Sequence, residues 1–123
     1  MKIAKIIYWI STTLMCLIFM FSATMYFTKY EAITVAFTNL GFPTWLVYPL
    51  AVAKVLGVVA VLSNRSKLLK EWAYAGFFFD AVMAAAAHYH VGDGELGPSV
   101  LAMILTIVSR LFDDYTGKII RLN

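Results

Sequence analysis

One cysteine in 123 residues, Cys16, excludes an intrachain disulfide, and its place inside an apolar run reads as packing. Charge is scarce too. Asp, Glu, Lys and Arg make up 14% of the chain, and they bunch between long apolar runs instead of alternating with them. A soluble amphipathic helix needs that alternation, so these runs are apolar all round. No CxxC, HExxH, GxGxxG or P-loop pattern occurs, and no Ser-His-Asp set can be assigned, so no enzymatic reaction can be read from the chain. The two histidines, His88 and His90, sit together at one helix end, which argues against a haem held by histidines across a bundle. The methionines are scattered over several runs and read as packing, not as a copper site, so no metal is expected. The net charge of +3 forms no face that could follow a phosphate backbone, which removes nucleic acid as a partner.

What the chain has is hydrophobic residues, 62% of the total, with a mean hydropathy of +0.80, and the partner this implies is the lipid bilayer. Four runs carry it, at about 6–27, 44–62, 72–89 and 98–114, within one domain of residues 1–123. The first run is flanked by Lys2 and Lys5 on one side and by Lys29 and Glu31 on the other, and it exceeds the ~20 residues needed to span hydrocarbon. It is long for a secretory signal, and Phe21 stands where a cleavage site needs a small residue. The segment from Lys29 to Pro43 predicts a short interfacial helix closed by the turn Asn39-Leu40-Gly41-Phe42-Pro43. Pro49 either kinks the second helix or marks its first turn. Residues 63–67 form a polar hinge, with Lys70 and Glu71 read as a solvated helix start. Gly92 and Gly94 break the chain, and Pro98 is expected at the first position of the last helix.

Basic residues sort the ends of these runs. Lys2, Lys5, Arg65, Lys67, Lys70, Arg110, Lys118 and Arg121 fall on one side, and Lys29 falls on the other. By the positive-inside rule the expected fold is all-α, an antiparallel bundle of four transmembrane helices with both termini cytoplasmic. The expected location is the inner (plasma) membrane, crossed several times. Aromatic residues agree, with Tyr8, Trp9, Trp72, Tyr74 and Tyr115 near the inner surface and Tyr26, Tyr30, Trp45, Tyr48 and Tyr89 near the outer one.

Lys54, Asp80 and His88 are ionisable groups inside or at the edge of apolar spans, where a charge is costly unless paired or wetted. At about 1.5 Å per residue, Lys54 lies roughly 15 Å below the outer end of its span and Asp80 roughly 14 Å above the inner end of its own. Antiparallel neighbours then bring both to one depth, and the two are expected to meet, directly or through water. The bland alternative is an ion pair that sets helix register. Asp80, Ala84 and His88 recur every four residues on one face, which connects mid-membrane to the outer surface. Ser22, Thr24, Thr106 and Ser109 either bond their own helices or reach this pair, and depth favours Thr106. The candidate polar site is therefore Lys54, Asp80, His88 and Thr106. Arg110 with Asp113 and Asp114 is expected to form a charge cluster at the last helix end.

The four-span pattern resembles the DoxX-like family of small bacterial membrane proteins over nearly the whole chain. The resemblance rests on the stretches from Phe21 to Tyr26, Phe37 to Pro43, Tyr48 to Gly57, Glu71 to Asp80 and His88 to Gly94. It implies a four-helix membrane bundle, with relatives linked to quinone-dependent oxidation of sulfur compounds and broader kin that look like membrane assembly factors. Many of the broader relatives carry an acidic residue where this chain has Lys54, and Asp80 is the acid here. Three roles follow as expectations. The first is an accessory or assembly subunit of a membrane redox system, alongside a membrane protein partner, with a quinone or other lipophile near Lys54 and Asp80. The second is proton or small-solute transport through Lys54, Asp80 and His88. The third is a structural chaperone that uses the hinge from Arg65 to Glu71.

Overall fold

The computed structural model describes residues 2–92, 94 and 96–122, with backbone alone from residue 114 onward. Among them are five α-helices, one 3-10 turn and no strand. Helix α1 spans Lys2–Thr28 and α2 spans Tyr30–Leu40. The turn Thr44–Leu46 leads into α3, Val47–Ser63, which is followed by α4, Lys67–Val91, and α5, Leu96–Leu122.

Local chemistry sets most of these boundaries. The hydrogen-bond ladder runs on through Lys29, whose amide donates to the Met25 carbonyl at 2.8 Å and whose carbonyl accepts from Ile33 at 3.0 Å. The segment after the first span is thus a bent continuation of α1, because Lys29 alone leaves helical geometry at φ −121° and ψ 47°. Gly41 stops α2 in the left-handed region at φ 86°, and the amide of Phe42 donates to the Phe37 carbonyl at 2.8 Å. Pro49 falls in the first turn of α3, where its missing N–H breaks no helical bond. Asn64 ends α3 at φ 53°, a conformation that asparagine tolerates better than other side chains. Ser66 caps α4, its Oγ accepting from the amide of Leu69 at 3.2 Å. Helix α5 starts at Leu96, so Pro98 is its third residue and not its first, still within the turn whose amides need no partner.

Three segments are long and apolar enough to cross a membrane: Lys2–Thr28, Thr44–Ser63 and Leu96–Asp113. Helix α4 has 25 residues but falls short in apolarity, since Trp72, Tyr74, Asp80, His88, Tyr89 and His90 dilute its alanines and phenylalanines. It nonetheless packs as an equal member. Helix α1 is flanked by α3 and α5, and α4 is flanked by the same two, so the long helices form a square with α1 and α4 on one diagonal. Helix α2 lies against α1, α3 and α4 at one end of that square.

The interior is built from Met15, Cys16, Phe19, Val58, Val61, Tyr74, Phe77, Ala81 and Ala102. Phe19 and Phe77 stack across it at 4.1 Å and 15°. Hydroxyls are buried beside them: Thr12 and Ser109 bond each other at 2.5 Å, and Ser109 also meets the Tyr74 hydroxyl at 2.8 Å. Much of the outside is apolar as well. Ile10, Leu14, Leu17, Leu56, Val59, Ile104 and Leu111 all face outward. Such an apolar surface suits lipid and not water, and the multi-pass membrane reading of the chain rests on it together with the three spans.

Candidate functional site

Lys54 is 5% exposed at mid-helix in α3, and its amine reaches two other helices. It donates to Ser22 Oγ of α1 at 2.8 Å and lies 4.0 Å from the centre of the Tyr26 ring, a cation over an aromatic face. The Asp80 carboxylate of α4 stands 3.8 Å away, too long for a hydrogen bond yet well within ion-pair range. The Asp80 side chain is 27% exposed. Ser22 orients the ammonium, Tyr26 and Asp80 answer its charge, and Asp80 keeps part of its side-chain surface open.

That surface faces a cleft of ≈ 700 Å³. Helix α1 supplies Phe21, Ser22 and Met25, α2 supplies Ile33 and Phe37, α3 supplies Leu50, and α5 supplies Pro98 and Ala102. Lys54 and Asp80 are its only charged lining among the described residues. His88 lines the same cleft, and Ala84 lies between it and Asp80 on the α4 wall. The two turns from Asp80 to His88 amount to ~12 Å of rise, so His88 stands at the far end of the cleft from the pair. Stacked rings fasten α2 over this end: Tyr30 lies on Tyr48 at 4.6 Å and 8°, and Tyr26 meets Phe37 edge-on at 5.4 Å.

Thr106, which depth placed at this site, is elsewhere. It is buried, its hydroxyl donates to the Ala102 carbonyl of its own helix at 2.7 Å, and it does not line the cleft. Depth alone could not tell which face of α5 turns toward α3. The diagonal position of α5 relative to α3 leaves α1 as the neighbour that supplies the hydroxyl, so Ser22 takes the role given to Thr106. Tyr26 was legible only as an interfacial aromatic.

A second polar cluster sits at the other end of the bundle, where a solvated helix start was expected. Lys70 is 3% exposed, and its ammonium donates to Tyr8 Oη at 3.0 Å, Asn64 Oδ1 at 3.0 Å and Asp113 Oδ1 at 2.5 Å. Three acceptors use all three of its hydrogens, which is what allows a buried ammonium to persist. The cluster expected of Arg110 with Asp113 and Asp114 draws in further partners: Asp113 pairs with Lys70, and Arg110 Nε reaches Glu71 at 2.8 Å. Asp114, Tyr115, Lys118 and Arg121 lie outside the residues whose side chains are described. Lys70 shares the stripe of Tyr74, Phe77, Ala81 and Ala85, the buried face of α4, and that spacing was the available signal.

Among the described residues no group of three or more His, Cys, Asp or Glu is placed to hold a metal ion. The sequence model of the DoxX-like family matches residues 10–110, most of the chain and all of the Lys54–Asp80 cleft. Neither a curated protein nor a solved structure matches. The chain belongs to the DoxX-like family.

Proposed function

We propose that this member of the DoxX-like family crosses the inner membrane four times, with both ends cytoplasmic. It acts there as a small accessory or assembly subunit of a quinone-linked redox system and holds the polar head of a lipophilic molecule at Lys54 and Asp80. Helix α4 is the fourth span in this reading, supported by its length and its place in the square. The orientation is supported by Lys2, Lys5, Arg65 and Lys67 at one end of the helices against Lys29 at the other.

The observation that carries the site is a charged pair in a largely apolar cleft of ≈ 700 Å³. Apolar walls with a few convergent polar groups are the usual form of a small-molecule site. The residues present fit a quinone-type head: the Lys54 amine uses one hydrogen on Ser22 and can offer another to a carbonyl oxygen, and the Asp80 carboxylate can accept from a hydroxyl. Such a head, when bound, supplies two-electron redox chemistry. The protein's own contribution is to seat the head, exclude water with Phe21, Phe37 and Met25, and hold the amine proton where an oxygen can share it.

Native mass spectrometry of gently extracted protein tests this. The expected result is a co-purifying lipophile with a carbonyl or hydroxyl head, lost at least about ten-fold in Lys54→Met, as removal of a charge-assisted bond implies. Wild-type protein that arrives bare, without lipophile or partner, overturns the reading.

A second reading, transport of protons or a small solute, draws on a separate feature. Leu50, Lys54, Gly76 and Asp80 line both the outer cleft and a groove that runs between α3 and α4 to Arg65. A charged pair where two clefts meet is the place expected of a gate. Proteoliposome flux that is unchanged by Asp80→Asn removes this second reading.

A further inference from the structure

The groove between α3 and α4 meets the first cleft at Lys54 and Asp80 and runs from there to Arg65. It encloses ≈ 710 Å³ and opens beside Ser63, Arg65 and Ser66. Its floor is made of small residues, Gly57 and Ala60 on one helix and Ala73 and Gly76 on the other. Its rails are the exposed side chains Leu56, Val59, Leu69 and Trp72. The two floor glycines differ in kind. A Cβ on Gly57 would lie 2.7 Å from Cζ of Phe77, so packing within the protein explains that residue. A Cβ on Gly76 would meet nothing within 4 Å, so the protein's own packing leaves open the space beside it.

We propose that this groove is a binding site for an anionic phospholipid of the cytoplasmic leaflet, its phosphate on Arg65 and one acyl chain laid along the α3–α4 seam. Charge complementarity selects the head. Arg65 lines the mouth and is exposed, Lys67 is exposed two residues further on, and among the described residues Asp113 is taken by Lys70 and Glu71 by Arg110, so those carboxylates are engaged elsewhere. Length selects the chain. From Ser63 to Ala53 is ten residues, ~15 Å of helix rise, which is half of a ~30 Å hydrocarbon core. An acyl chain from the cytoplasmic leaflet therefore ends just short of Lys54, and the groove is apolar over that distance. Trp72 is 65% exposed on the rail near the mouth, the depth at which tryptophan sits beside lipid headgroups. A second copy of the chain is a poorer occupant, because a twofold pairing along this seam sets Arg65 and Lys67 against their own counterparts.

The full-length protein with Trp9→Phe and Trp45→Phe leaves Trp72 as the reporter. It is reconstituted in phosphatidylcholine vesicles that contain a small fraction of chain-brominated lipid, either phosphatidylglycerol or phosphatidylcholine. Brominated phosphatidylglycerol should quench Trp72 at a clearly lower mole fraction than brominated phosphatidylcholine. Arg65→Gln should shrink that preference by about five-fold, the effect of one basic side chain on an anionic lipid. Lys5→Gln, a basic residue at the same membrane surface but outside the groove, should leave the preference unchanged. Equal quenching by the two lipids overturns the proposal. So does a preference that survives Arg65→Gln, or one that falls as far in Lys5→Gln. Trp72 emission that follows protein density instead of brominated lipid assigns the groove to a second copy and also overturns it.

Discussion

At the scale of single residues, two lysines are buried by different means. Lys54 shares its charge with Asp80 at 3.8 Å and with an aromatic face, whereas Lys70 is saturated by three oxygen acceptors. Removing Lys70 strands Asp113 in a half-buried position, and Lys70→Met should cost about 3–5 kcal/mol, the range for breaking a buried pair from one side. Thermal unfolding in detergent measures it, and a loss below 1 kcal/mol would mean that the cluster is slack. Lys54→Met and Asp80→Asn should each destabilise, with the double variant recovering part of the loss, because the pair's coupling vanishes with either partner. Strict additivity in that cycle would deny the contact. The first pairing could be anticipated, since matched depth on antiparallel neighbours needs only counting. The second could not be read the same way: Lys67, Lys70 and Glu71 look like a solvated cluster when judged along the chain, and their partners on α1 and α5 lie more than forty residues away.

At the scale of elements, packing explains which small residues matter. Gly57→Ala drives a methyl against the ring of Phe77, and that ring is held by its stack on Phe19. We expect a loss of about 1–3 kcal/mol, as for other overpacked cores. Gly76→Ala meets open space and should be neutral or stabilising by up to about 1 kcal/mol, the difference in helix propensity. Parallel melting curves of the two variants check the contrast, and equal losses would contradict it. Element boundaries were legible wherever a residue carries its own geometric demand. Gly41 ends its helix in the expected turn, Ser66 caps α4 from within the expected polar hinge, and Pro49 resolves to a first turn. The bend at Lys29 and the early start of α5 at Leu96 have no such marker, because several neighbouring residues would satisfy the chain equally well.

At the scale of the whole molecule, the all-helical, membrane-type character could be read from the hydrophobic runs, but the faces of the helices could not. A helix that is apolar on every side gives no moment to say which side turns inward, and that is why Ser22 and Thr106 exchanged roles. The proposed four-span orientation leads to a direct expectation. A cysteine introduced at Lys29 should react with a membrane-impermeant maleimide from outside the cell, and one at Arg65 only after the membrane is opened. Cys16 is buried and should contribute no background. Labelling of both positions from the same side would reverse or remove a span.

The diagonal placement of α1 and α4 carries one last implication. Those two helices make no close backbone approach among the described residues, yet the Phe19–Phe77 stack and the Tyr8–Lys70 bond both reach across the middle. They act as two crossbars through a packed interior. Cutting either one should leave the helices formed and the circular dichroism unchanged, while the packing between them loosens and admits detergent or protease.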